Sequence, residues 1–260
     1  MAAALQHLST IVTSVPAAQP IVIFLQEMGE SDLAQIQAAA WVRDRFYMTD
    51  TSGASWGNPL YGSTTLVDRR LGVAAVFRVP FESMFQRDGF FVDVRLAGDG
   101  ERVLRLANVH LESLVADPPL RPAQMRLAAR YLREEKVYAG LLAGDCNSIQ
   151  PFDRTIHSDN GLEDAYLALG GKEDSEDGYT WGPQVPEEMF KKFGPSRMDK
   201  VMFCGNVKVK SFQRIGVGVK VDDEQLRKEM IAAGQVDFVT DHYGVMADME
   251  IGGLNLDVVS

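Results

Sequence analysis

The sequence predicts an α/β protein, a two-layer sandwich of strands with helices packed around it. Two observations carry this. Short apolar runs rich in β-branched and aromatic residues recur along the chain, each closed by Gly, Pro, Asn or Asp. A few segments of helical periodicity lie between those runs. No internal repeat, low-complexity tract or linker divides the chain, so residues 1–260 are expected to form a single domain.

The elements follow in order. Leu5, Leu8, Ile11, Val12 and Val15 recur at helical spacing, which predicts an amphipathic helix over 3–15, ended by Pro16 and Pro20. Ile21–Leu25 is a buried strand, closed by Gln26-Glu27. Ser31 or Asp32 caps a helix to about Asp44. Gly53, Gly57, Asn58, Pro59 and Gly62 make 52–62 a loop, in which Trp56 is free to stack. Strands are expected near 63–68 and 72–78, then a hairpin of 90–97 and 102–110. Pro122 sits in the first turn of a helix to about Glu135. The run Val137–Ala143 is a buried strand ending in Gly144-Asp145-Cys146-Asn147. Short helices are expected near 151–157 and 162–169, then a solvated acidic loop over 171–178. Strands near 198–204 and 206–214, a helix near 222–233 and a strand over 243–251 complete the chain.

Composition narrows the function. An apolar content of 46% suffices for a sizeable core. The formal net charge of −10 argues against a protein that grips nucleic acid through a broad basic surface. It leaves room for a narrow cleft in which a cation and a few arginines meet phosphate, and hard cations favour carboxylate oxygens. Cys146 and Cys204 provide no disulfide framework and read as buried thiols of a reducing compartment. Without a membrane-length segment or a secretion signal, the expectation is an intracellular protein, nuclear or cytoplasmic, with no membrane partner.

Chemistry concentrates where strands end. Glu27 closes the first strand, and strand ends collect ligands in layered α/β folds; a solvated glutamate is the alternative. Asn108, His110 and Glu112 alternate onto one strand face, a site edge or an exposed face. Asp145 and Asn147, two residues apart, point the same way: Asp can hold a metal or take a proton, and Asn can orient water or phosphate without adding charge. Asp199 is placed to fix a histidine tautomer, or else to pair with Arg197 or Lys200. Asp241-His242 precedes the last strand in an order frequent for acid/base work. His7 and His157, the remaining two of four histidines, are assigned no role.

Individually these motifs are weak, but their order is specific. Leu-Gln-Glu, His-Leu-Glu-Ser, Gly-Asp-x-Asn, Arg-x-Asp-Lys and Asp-His-Tyr-Gly, in that sequence, resemble the endonuclease/exonuclease/phosphatase superfamily. With Tyr179-Thr180-Trp181, the pattern is most similar to the 5′-tyrosyl-DNA phosphodiesterases. The resemblance covers nearly the whole chain from residue 20 onward. It implies the DNase I-like fold, a two-layer β-sandwich flanked by helices, and a Mg²⁺-dependent phosphodiesterase, Mn²⁺ being able to substitute. The substrate implied is a phosphodiester, foremost a DNA 5′ end carrying a phosphotyrosyl adduct. A phosphatase or esterase for small or lipid-linked phosphates, and a catalytically impaired partner-binding member, are the alternatives.

By the same resemblance Glu27 would hold the metal and Asp241 would support the metal-side network. Asp145 would deprotonate the attacking water, with Asn147 orienting it. His242, held by Asp199, would stabilise charge on the scissile phosphate, and His110 would contact that phosphate. Ser113 and Arg121 would add phosphate contacts, and Trp181 would stack on a nucleobase unless it is a packed aromatic. One family element has no counterpart: the first strand, which ends in a metal-supporting Asn. Residues 1–26 contain no Asn, Asp or Glu. The N-terminal strand is therefore expected to be missing, leaving one slot of the sheet unfilled; a shortened gene model is the expected reason.

Overall fold

The structure, a computed structural model, describes residues 1–253 and 256. Its elements are α1 (Ala2–Ser14), β1 (Val22–Met28), α2 (Glu30–Ala38), α3 (Ala40–Arg45), β2 (Phe46–Met48), β3 (Gly62–Asp68), β4 (Val73–Pro80), β5 (Asp88–Leu96) and β6 (Asp99–His110). They continue with α4 (Arg121–Leu132), β7 (Val137–Asp145), β8 (Glu163–Asp164), α5 (Ala165–Ala168), α6 (Glu187–Phe193), β9 (Asp199–Gly205), β10 (Val207–Ile215), α7 (Glu224–Ala232) and β11 (Gly244–Ile251).

One layer is a six-stranded sheet in the order β4-β5-β6-β7-β9-β8. Its β6–β7 pair is parallel, with α4 as the crossover, and its other ladders are antiparallel. Strand alternation assigns its two faces. Phe91, Ala107, Val109 and Leu142 turn outward onto Met125, Ala128, Ala129 and Leu132 of α4. Leu104, Leu106 and Ala139 turn inward onto Val67 of β3, while Ala143, Val201 and Phe203 meet Phe24 of β1 and Val245 and Ala247 of β11. Leu5 and Val12 of α1, with Ile36 and Val42, close the far side of the second layer over Phe46 and Leu66. The architecture is the expected two-layer sandwich flanked by helices.

The second layer comes in two pieces. β1-β3-β2 is one sheet and β10-β11 another. Among the described residues no ladder joins β1 to β11, though both pack on the same face of β7 and β9.

Several local expectations are corrected. The helix expected to run to Asp44 breaks at Ala39, whose backbone is extended (φ −69°, ψ 121°), so α2 and α3 pack separately. Its cap is neither Ser31 nor Asp32: Gly29 holds the cap position, and Asp32 at the third helical residue accepts from the Gly29 N–H at 3.0 Å. The acidic loop 171–178 is not wholly solvated, because Glu173 pairs with buried Arg197 and Lys200. β2 and α6 were not foreseen. Trp56 is buried against Gly62, where a Cβ would meet its ring at 2.3 Å, so it anchors the 52–62 loop and is not free to stack.

Candidate active site

Register places the site. His110 of β6 lies opposite Asp145 of β7, and Asp145 lies opposite Asp199 of β9. Three polar side chains thus stand abreast at the ends of three neighbouring strands, all on the inner face by alternation. Gly144 permits this: its φ is +143°, and a Cβ there would lie 2.0 Å from the Val109 carbonyl oxygen. The second layer contributes from above. Glu27, next to last in β1, holds φ +57°, and His242 stands just before β11. Asn108, fully buried, donates to the Leu25 and Thr64 carbonyls and accepts from Gln26 at 2.7 Å, which locks the two layers together beneath the site.

Asp145 is buried. Its Oδ1 accepts from the Asn147 N–H at 2.8 Å, and its Oδ2 lies 3.3 Å from His110 Nε2. Burial raises its pKa, and the neighbouring Asp199 charge raises it further, to about 7. The carboxylate is thus poised to change protonation near neutrality.

His242 Nδ1 bonds Asp199 Oδ2 at 2.7 Å. Burial disfavours the imidazolium, but Asp199, by charge and hydrogen bond, outweighs it and lifts the pKa to about 10. His242 is therefore a cation at neutral pH. Asp199 is available to it because Arg197 and Lys200 are engaged elsewhere, with Asp164 and Glu173. Thr180 fixes both partners: its hydroxyl accepts from the Met198 and Asp199 N–H groups, and its carbonyl accepts from Tyr243.

His110 behaves oppositely. Burial, then the charges of Arg87 and His242, depress its pKa to about 2. Arg87 Nη1 donates to His110 Nδ1 at 2.5 Å. A guanidinium only donates, so the ring proton sits on Nε2 and points toward Asp145. Arg87 Nη2 also donates to Ser113 Oγ at 3.0 Å and lies 3.9 Å from Glu27. Motif reading missed Arg87, which lies in the turn before β5 outside every recognised pattern. Its signal is a buried guanidinium whose Nε has no partner among the described residues.

The other expected residues divide. Ser113 and Asn147 join the cluster, with Asn147 Nδ2 donating to Ser113 Oγ at 3.3 Å and to the Leu111 carbonyl. Arg121 does not. It is buried, its Nε and Nη2 donate to Asp153 and its Nη1 to the Glu112 and Leu114 carbonyls, so it braces loops and the expected phosphate contact is corrected. Trp181 is 7% exposed and edges onto Phe193, which makes it a packed aromatic with no free stacking face. Its indole N–H donates to Asp241 at 3.1 Å. Asp241 is exposed and lies outside the compact group of Asp145, Asp199 and His242, whose ligand atoms fall within 4.8 Å of one another. Glu112 is buried and accepts from Ser83, Met84 and Gln124, a loop anchor.

The donor set suits a hard divalent cation. Glu27 presents a largely exposed carboxylate, 3.9 Å from His110 Nε2, and Asp145 approaches the same nitrogen from its own strand. One exposed carboxylate and one buried beside it match an ion that keeps several waters.

The model of the Endonuclease/Exonuclease/phosphatase family matches residues 1–242. No curated protein sequence matches. Several solved structures share the fold. A truncated TDP2 from Caenorhabditis elegans superposes with a TM-score of 0.67 at 22% identity, covering 94% of this chain and 90% of that one. TDP2 from D. rerio, complexed with a single-strand DNA product, gives 0.68 at 18% identity over 95% and 91%. A mannosyl-6-phosphatase from Bacteroides thetaiotaomicron gives 0.62 at 15% identity over 94% and 91%. The chain belongs to the endonuclease/exonuclease/phosphatase family, and with it to the metal-dependent hydrolases of phosphoesters.

Proposed function

We propose that this protein is a Mg²⁺-dependent phosphodiesterase acting on a DNA 5′ end that carries a phosphotyrosyl or related adduct, with Mn²⁺ able to replace Mg²⁺. The observation that carries the chemistry is the row His110, Asp145, Asp199 in register on β6, β7 and β9, with His242 bonded to its last member. The DNA-end substrate is supported by the likeness to TDP2, one structure of which holds a single-strand DNA product.

The roles follow from the protonation states. Asp145, held by Asn147, takes the proton of a water whose oxygen attacks phosphorus, and the ester oxygen leaves with the bonding pair. The His242 imidazolium and the Arg87 guanidinium face the negative charge that accumulates on the phosphoryl oxygens. Neutral His110 donates from Nε2, and Asn147 and Ser113 orient water and phosphate. Glu27, with Asp145, would hold the cation, which when bound adds positive charge opposite the phosphoryl group. Asp241 accepts from Trp181 and adds its charge to those that favour the His242 imidazolium.

The net charge of −10 favours a second reading, a phosphoesterase for a small sugar-linked or lipid-linked phosphate. Comparing a 5′-phosphotyrosyl oligonucleotide with a nitrophenyl phosphodiester and a sugar phosphate, with Mg²⁺ and with chelator, tests both. The expected result is hydrolysis of the oligonucleotide at the highest kcat/KM, lost with chelator. Preference for the sugar phosphate would favour the second reading, and turnover of none of the three would remove the enzymatic one.

The titrations set a pH profile. Asp145 works deprotonated, so kcat/KM should rise about tenfold per pH unit up to a midpoint at or below about 7, a bound cation lowering that midpoint. His242 works protonated, so activity should fall only as pH approaches about 10. A rate that falls as pH rises from 5 to 7 would contradict the role of Asp145.

A further inference from the structure

A cavity of about 540 Å³ lies between α1 and the segment that joins β10 to α7. Gln6, His7 and Thr10 of α1 line one side, and Lys220, Asp222 and Arg227 line the other. Its volume falls within the range of small-molecule sites, about 300–1,000 Å³. None of these residues belongs to the catalytic row.

Two donors set the chemistry of this cavity. The Arg227 Nε is shut off from solvent and has no partner among the described residues. A donor left that way costs free energy until something accepts from it. The neighbouring acids are engaged: Glu224 with Lys228 at 2.8 Å, Asp223 with the Leu226 N–H at 3.0 Å, and Asp237 with Lys220 at 3.0 Å. Asp222, the one carboxylate among the described lining residues, is exposed, so solvent screens its repulsion of an anion. His7 supplies the second donor. Its Nε2 accepts from the Gly216 N–H at 3.0 Å, so the ring is neutral and carries its proton on Nδ1.

The wall opposite α1 is tied to the catalytic histidine. The Val221 N–H donates to the Asp237 carbonyl and the Val239 N–H to the Val219 carbonyl, each at 3.0 Å. From Val239 the chain runs through Thr240 and Asp241 into His242. Buried Gln184 adds a second tie: it accepts from the Gly218 N–H at 2.7 Å and donates to the Thr240 and His242 carbonyls.

We propose that this cavity is a second ligand site, for a small organic anion whose phosphate or carboxylate group is held by Arg227 and the Nδ1–H of His7, and that its occupancy is transmitted to His242. The guanidinium fork matches either oxyanion. The cavity has room for an organic body beyond that group. An occupant bears on the wall from which the chain enters His242, so filling the cavity shifts the surroundings of that ring.

Because the chain has four histidines, NMR of the imidazole rings reports on both places at once. The native protein with Mg²⁺ is titrated separately with glucose 1-phosphate, AMP and glutarate. At least one of them should shift the His7 signals saturably, with a Kd of about 1 mM or below, and the His242 signals should follow the same isotherm. Arg227→Gln should weaken that Kd about tenfold or more, by removing a charge-assisted hydrogen bond. Gln6→Trp, which fills the cavity and leaves every charge in place, should abolish the response. No saturable His7 shift with any of the three anions overturns the site, and so does a Kd that neither variant changes. Shifts of His110 and His242 with His7 unmoved would put the anion in the catalytic row and overturn it as well. A His7 response without a His242 response overturns the link. Binding is read at His7 whether or not the protein hydrolyses phosphodiesters, so this result and the test of the proposed function stand apart.

Discussion

Replacing Asp145 with asparagine is expected to lower kcat by about 10²–10⁴-fold without lowering the melting temperature. The first half follows from geometry: the amide keeps the shape and accepts the same Asn147 N–H, but it cannot take a proton from water. The second half follows from the environment. The carboxylate is buried beside Asp199, and its raised pKa means that ionising it opposes folding. That cost is absent below the unfolded value near 3.8 and complete above about 7. At pH 8, therefore, Asp145→Asn should melt at the same temperature as the native protein or higher, and at pH 4 the difference should vanish. Steady-state turnover and thermal melts at the two pH values check both parts. Retention of full turnover would remove Asp145 from the chemistry. A lower melting temperature at pH 8 would mean that the carboxylate braces the site.

The largest loss of stability is expected far from the site, at Arg105. This guanidinium is fully buried on the α4 side of the main sheet, bonded twice to Asp93, once to Glu134 and once to the Tyr131 carbonyl, and it lies over the Phe77 ring at 5.0 Å. Arg105→Met would strand the Asp93 carboxylate in the interior, with Lys136 at 3.5 Å in partial compensation. Breaking one side of a buried pair costs about 3–5 kcal/mol. Asp93→Leu combined with Arg105→Met removes both charges and should recover most of the loss, because apolar replacement of the whole pair is often neutral. Urea unfolding of the single and double variants reads this directly. A single-variant loss below about 1 kcal/mol would show that solvent reaches Asp93.

How much of this was legible in the sequence depends on whether a residue's partner lay nearby in the chain. His110, Asp145 and Asp199 announce themselves as polar ends of apolar strands, and the ladder then aligns them. Asp199 was readable only as a choice between His242 and its neighbours Arg197 and Lys200. That choice is settled by Glu173, in a loop that reads as solvated because its partners are more than twenty residues away. Arg121 misleads for the same reason, since Asp153 satisfies it. Arg87 was invisible because a single arginine in a turn carries no periodicity. α6 could have been found, with Glu187 and Glu188 in its first turn, Lys191 and Lys192 in its last and Gly194 beyond. Nothing in the Ala38–Ala40 run signals the break between α2 and α3; packing imposes it.

The divided second layer carries a mechanical consequence. Glu27 rides on the three-stranded piece, His242 is mounted beside the two-stranded piece, and the carboxylates belong to the main sheet. Backbone hydrogen bonds hold each of these bodies together internally, and among the described residues no ladder joins β1 to β11. The spacing between the metal-side carboxylate and the charge-bearing imidazole is therefore set by the main sheet acting as a common ruler, through Asn108 under one piece and Asp199 beside the other.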